Sequence, residues 1–410
     1  MKTSFSWALL LRSQRYWAAG LVVVIGVAAG SVGVAARADV LQDILTSDPA
    51  VDMVDEEFDQ TNDQFAWVES TSRGKGPLWL GKVDPKTGEF VPPTGKALQV
   101  DTDALTLPKV FNGAEWAFAN NDSLGNAIVY TKSTDKDKAL GVATFDGNVW
   151  TPSVLANSTG SQGPIGSRDN NDTAPRIFYF NTDPLTKQKV AKWREIYNPA
   201  TEAVVPNVDP PGGRWVEGLR AVIYPTQLSR KEKQIFIYYV DTGVSEQVTF
   251  DAGEKITPFM WKAPEFGDDY LVMTVIDNVS VGIYRKLNGS WQQINNLLIP
   301  STSKPYVSSS EPFTYNGKSY LFGLSQDDPN PKSLSALSDV WVAAIDPANP
   351  YYAKVSDSTD QKRRDPEVYI TCQGPYIYFQ RPNPSDSSKS SIYRVPASLG
   401  IPREPPPRCN

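Results

Sequence analysis

Acidic residues recur in this chain just ahead of runs rich in aromatic and β-branched residues, and these acids are the groups most able to do chemistry. Glu311 and Asp365 stand out because each is followed directly by proline. Asp55, Glu56, Glu57, Glu115, Asp169, Asp172, Glu217 and Glu367 occupy comparable places, with Arg176, Arg214, Arg220, Arg363 and Arg364 near them. A guanidinium can lower a neighbouring carboxyl's pKa or grip an anionic ligand. Two carboxyls facing one another, one of them protonated, can cleave a glycosidic bond at separations of roughly 5–9.5 Å. The 410 residues include no histidine, which excludes imidazole-activated nucleophiles, imidazole proton shuttles and His-ligated metals. Two cysteines are too few for a thiolate cluster. Carboxylate chemistry, or binding without chemistry, is what remains.

Glu311 and Asp365 are therefore the candidate catalytic pair. Glu57, Glu115, Asp172, Arg214, Trp215, Glu217 and Arg364 are the candidate ligand-binding residues. The Arg214-Trp215-Val216-Glu217 segment joins charge to a stacking surface, and would serve equally as an ion pair between strands. Trp116, Trp150, Trp215, Trp261 and Trp291 offer faces to a sugar, although most such side chains are expected in the core. No cofactor is expected. The acidic stretches 55–63 and 169–172 present oxygen atoms to calcium without the twelve-residue loop pattern that would make a site.

Acids so far apart in sequence need a scaffold that gathers them. Short runs of Val, Ile, Tyr, Phe and Trp, separated by Gly, Pro, Asn and Asp, predict an all-β chain. The runs come in pairs. The first members fall at 64–68, 115–118, 176–180, 220–224, 270–273, 320–322 and 376–379. The second members fall at 78–84, 127–130, 192–197, 235–241, 281–285, 340–346 and 391–395. A recurrence of about fifty residues is near the period of four-stranded propeller blades, whose radial stacking buries both faces of each small sheet. The expectation is a single β-propeller over 55–400 with seven blades, or six if the segment 192–222 is mostly insertion. Two β-sandwiches are the weaker alternative, because no linker or composition break occurs between residues 60 and 400.

The segment from Ser309 to Phe322 (Ser-Ser-Glu-Pro-Phe-Thr-Tyr-Asn-Gly-Lys-Ser-Tyr-Leu-Phe) resembles blade openings of the arabinanase/fructosidase type of glycoside-hydrolase propellers, as does Arg364-Asp365-Pro366-Glu367-Val368-Tyr369. Asp146-Gly147-Asn148-Val149-Trp150 is similar to their Asp-Gly-x-x-Trp turn, and Asn288-Gly289-Ser290-Trp291 echoes it. TolB-type propellers share such motifs. The resemblance covers scattered blade motifs rather than one aligned domain. It implies the fold, and it admits a carboxylate-based hydrolase; those hydrolases are five-bladed, fewer than the repeats counted here.

Lys2, Arg12 and Arg15 precede an uncharged run from Trp17 to Ala36 that ends in Ala36-Arg37-Ala38, the pattern of a signal peptide over residues 1–38, with an uncleaved anchor as the alternative. Residues 39–54 read as a lead-in and 401–410 as a proline-rich tail. In an oxidising compartment Cys372 and Cys409 would tie that tail to the last repeat. Localisation is expected to be secreted or periplasmic. A net charge of −6 gives no reason to expect nucleic acid, and no membrane contact is expected beyond the N-terminal segment. The expected function is an exported, monomeric propeller that binds a glycan or another protein on its funnel face, with a glycosidase using paired carboxyls as the alternative.

Overall fold

The computed structural model describes residues 43–409, apart from positions 47, 72–73, 107–108, 111, 120–125, 136, 184, 299, 301–303, 331–332, 334 and 405–406. The signal-like segment 1–38 lies outside the described residues. Among the described residues the only helical pieces are two 3-10 turns, Pro264–Phe266 and Pro407–Cys409. All other regular structure is strand.

Five sheets have four strands each, and a sixth has ten. The third of the chain's repeats shows the plan: Ser161–Gly166, Arg176–Thr182, Lys189–Glu195 and Asn198–Val204 lie side by side in sequence order, all antiparallel. Tight turns make this possible. Between Ser280–Leu287 and Ser290–Leu298, Asn288 and Gly289 both adopt positive φ (51° and 82°), the twist a two-residue hairpin requires. The ten-stranded sheet contains two runs of the same plan, joined where Ala104 and Leu105 pair with Lys132 and Thr131. Taken as two units it brings the number to seven; taken as one it leaves six.

The first strand of each unit matters most for function. Met53–Asp59, Glu115–Ala119, Ser161–Gly166, Arg214–Val216, Lys255–Ala263, Tyr306–Tyr315 and Arg364–Thr371 each contact the next, and the last contacts the first. They form a closed circuit. The apolar core lies outside this ring, between neighbouring sheets. Phe178, Trp193, Val222 and Tyr238 make one such layer, and Phe313, Phe322, Ile377 and Tyr393 another. Burying each large side chain of this kind is worth about 1.5–3 kcal/mol, so the sheets hold one another in place.

The chain ends close the structure. Asp43–Ile44 pairs with Arg394 and Tyr393, and so supplies the outermost strand of the sheet whose other three strands come from the C-terminus. The first inner strand begins at Met53. A two-residue strand carries no alternation for a sequence reading to find. The disulfide between Cys372 and Cys409 is present. It holds Arg408 across the seam: the guanidinium donates to the Gln60 carbonyl and to the Ile370 carbonyl (2.7 Å), and pairs with Asp63 at 3.0 Å.

Candidate functional site

The inner strands share a local defect that shapes the channel. In five of them the pairing with the second strand slips by one residue: between Val54 and Glu57, Gln162 and Ile165, Ile256 and Phe259, Ser308 and Glu311, and Arg364 and Glu367. At each slip one residue takes a positive φ: Asp55 at 54°, Gly163 at 59°, Thr257 at 52°, Ser309 at 47° and Asp365 at 51°. A bulge of this kind bends the strand and re-aims the side chains after it. Two residues beyond each positive φ stand Glu57, Ile165, Phe259, Glu311 and Glu367, and all five line one cavity of about 640 Å³. The repeat thus positions the site. Three of the five re-aimed side chains are glutamates.

Glu115, Arg168, Arg214, Trp215, Glu217, Trp261, Lys262 and Asp268 add to the charged and aromatic lining, with Phe58 and Phe322 beside them. Arg168 is the central cation. Its Nη2 donates to Glu57 Oε2 at 2.5 Å and to Glu115 Oε2 at 2.7 Å. Sharing one nitrogen keeps those two oxygens within about 5 Å of each other, near the separation used in retaining glycoside hydrolysis. Asn112 Nδ2 donates to the other Glu115 oxygen at 2.6 Å. Arg214 pairs with Glu311 at 3.2 Å and lies over the Phe259 ring at 4.2 Å. Behind this wall Gln380 Nε2 donates to both Glu56 Oε2 (2.7 Å) and Asp365 Oδ2 (2.8 Å).

Carboxyls crowd this space more densely than cations, and their proton affinities rise accordingly. Burial, reinforced by Glu115, pushes Glu57 up to about 8 against the counter-pull of Arg168. Asp365 rises to about 6 through burial and the nearby Glu311. Burial also raises Glu311, although Arg214 opposes it, and raises Glu367 well above the usual range with help from Glu57. Asp55 and Glu56 are raised well above the usual carboxylate range by burial and then by Asp365. Burial alone would lower Arg168, but Glu57 and Glu115 outweigh it and leave the guanidinium raised. Near neutral pH Glu57 therefore keeps its proton in the channel while Asp365, behind the wall, has lost most of its own.

The cavity gathers Glu57, Glu115, Arg214, Trp215, Glu217 and Glu311 from the expected set. Asp365 sits behind the wall, joined to Glu56 through Gln380. Glu311 lines the cavity and Asp365 does not, although Glu311 is the leading charge acting on Asp365. Arg364 turns to Ser390 Oγ at 3.0 Å. Asp172 is taken up by Arg176 and by Arg220 (3.0 Å), which ties two sheets together instead of facing the cavity. Arg363 is buried against Ser338 and Asp357. Trp116 and Trp150 are core, whereas Trp215 and Trp261 reach the cavity. Arg168 was missed. It belongs to a two-residue strand, Arg168–Asp169, that pairs in parallel with Phe118 and Ala119, and no repeat pattern marks it. Among the described residues no group of three or more acidic or sulfur side chains is arranged to hold a metal ion.

No family model matches the chain, and no curated protein matches it. Among solved structures it is similar to an oligogalacturonate lyase from Vibrio parahaemolyticus, at 12% identity over 89% of this chain and 95% of that one, with a TM-score of 0.55. A prolyl endopeptidase matches at 12% identity over 86% of this chain, TM-score 0.49, and the chain spans 50% of that protein's length. TolB from Acinetobacter baumannii matches at 14% identity over 83% of this chain and 81% of that one, TM-score 0.36. The fold is a β-propeller. At these identities the likeness extends to the fold alone, and the site must speak for itself.

Proposed function

We propose that the protein is an exported propeller that binds a carbohydrate in the acid-lined cavity. The observation that carries this reading is the composition of the cavity wall: the Trp215 and Trp261 side chains stand beside Glu57, Glu115, Glu311 and Glu367 in a space of about 640 Å³. Sugars are bound by such pairings, an apolar ring face on an indole and hydroxyl groups donating to carboxyl oxygens. An acidic sugar fits poorly, because Arg168 and Arg214 are engaged by Glu57, Glu115 and Glu311. Secretion or a periplasmic location is consistent with the disulfide and with the signal-like N-terminal sequence. Calorimetric titration with a panel of neutral, basic and acidic oligosaccharides tests the reading. Trp215→Ala should weaken binding of any glycan that the wild-type protein takes up. Unchanged affinity in that variant would place binding elsewhere.

A second reading is favoured by one specific feature. Glu57 retains its proton to about pH 8 within about 5 Å of Glu115, which supplies an acid and a second carboxyl at hydrolytic spacing. In this reading Glu57 donates its proton to the leaving glycosidic oxygen as the Glu115 carboxylate bonds to the anomeric carbon, and water, deprotonated by Glu57, then cleaves that glycosyl ester and restores both groups. Release of reducing ends from a bound glycan, abolished by Glu57→Gln, would support it. Binding without any release leaves the protein a binder for that glycan.

A further inference from the structure

The cavity wall carries six carboxyl side chains against three cationic ones. The two arginines are already spent, Arg168 on Glu57 and Glu115, and Arg214 on Glu311. Glu367 differs from those acids. It lines the cavity, accepts no hydrogen bond and joins no ion pair among the described residues; the charges acting on it are Glu57, Glu311 and Asp365 against Arg168, and it acts in turn on Arg168 and Arg214. Behind it lie two further carboxyl oxygens without a donor, Asp55 Oδ2 and Glu56 Oε1, in residues that are 9% and 1% exposed. A carboxyl group without a partner in a recessed, acid-rich space is held protonated by burial and by its neighbours, and it ionises when a positive ligand group that can donate several hydrogen bonds sits beside it. An ammonium group offers three donors and a full charge; a hydroxyl offers one donor and none. The half-buried indoles of Trp215 and Trp261 supply the apolar surface that a sugar ring needs beside that charge.

We propose that the cavity selects an amine-bearing saccharide over neutral and acidic ones, and that Glu367 receives the ammonium group. This rests on the carbohydrate-binding reading. The ammonium takes the place of the missing donor at Glu367. It also favours ionisation of the surrounding carboxyls, so binding releases protons from the wall.

Oligomers of glucosamine and of N-acetylglucosamine of equal length share one sugar skeleton and differ at the nitrogen, a protonatable amine in the first and an uncharged acetamide in the second; the Glu367 variants separate the effect of charge from that of the added acetyl group. Titration calorimetry at pH 6.5 should show the glucosamine oligomer binding tighter by about ten-fold or more, the scale of one charge-assisted hydrogen bond. That advantage should shrink with added salt. Glu367→Gln should remove most of the glucosamine oligomer's advantage over the N-acetylated one, and Glu367→Asp, which keeps the carboxyl group, should retain that advantage. Equal or tighter binding of the N-acetylated oligomer would overturn the inference and leave the carbohydrate reading standing. So would a preference that survives intact in a folded Glu367→Gln variant, or one lost equally in Glu367→Asp. If no oligosaccharide of any charge binds the wild-type protein, the carbohydrate reading itself fails.

Discussion

Replacing Glu57 by glutamine should flatten the protein's loss of stability between pH 5 and pH 8. The usual carboxyl value of 4.5 is lifted to about 8 in the fold, by burial first and Glu115 second. Above about pH 4.5 the unfolded chain has released this proton while the folded protein still holds it, so folding takes up a proton and stability falls as pH rises through that window. At about 1.4 kcal/mol per pH unit the full shift corresponds to about 5 kcal/mol by pH 8. The groups facing Glu57 (Glu115, Arg168, Glu311 and Glu367) redistribute charge as it ionises, and its side chain is 16% exposed to the channel, so about 2–3 kcal/mol is the working magnitude. Asp365 acts in the same direction, its usual 3.8 raised to about 6. Asp101 and Asp357 are lowered despite burial, through Lys132 and through Thr359 and Arg363 respectively; their contribution is lost only below about pH 4, outside the window. Urea unfolding of the wild-type protein and Glu57→Gln at pH 5, 6.5 and 8 reads the effect. The wild type should lose stability toward pH 8, and the gap between the two proteins should shift by about 2–3 kcal/mol in favour of the variant. Parallel curves, or a wild type more stable at pH 8 than at pH 5, would refute the reasoning.

Other consequences follow from the same geometry. Arg168→Met leaves Glu57 and Glu115 facing each other without their shared cation, and should destabilise by about 3 kcal/mol at pH 8 and much less at pH 5, measured by the same unfolding series. Ser309 holds a positive φ of 47° at the bulge that aims Glu311 into the cavity. Ser309→Val should cost about 1–2 kcal/mol in thermal unfolding, whereas Ser309→Gly should be neutral or mildly stabilising. Cys409→Ser opens a bridge that spans 37 residues; loop entropy sets the loss at about 3–4 kcal/mol, and limited trypsin digestion should then cut the freed tail at Arg403 or Arg408 first.

The sequence was most legible where side chains alternate against a core. The aromatic runs at 176–180, 220–224, 270–273, 320–322 and 376–379 fall on the second strands of their units, and their partner runs fall on the third. In the second unit the pattern is displaced by one place: Glu115–Ala119 is the inner strand and Ala127–Ser133 the second. The inner strands that carry the site were visible only as acids ahead of those runs, because they face a channel on one side and have no clean alternation. The glutamates two residues past a bulge could not be told from Asp172 or Arg363, which serve ion pairs between or within sheets, since the bulge depends on backbone φ rather than residue type. Arg168 was invisible because it lies on a two-residue strand outside the repeat pattern. Its partners, Glu57 and Glu115, lie 111 and 53 residues away.

The most direct test of the account is a crystal structure of the protein soaked with an oligosaccharide that it binds in solution. The account expects a sugar ring against Trp215 or Trp261 and a hydrogen bond from the ligand to Glu311 or Glu367 inside the channel. A ligand seated on the outer edge of a sheet, with the acid-lined cavity left empty, would contradict it.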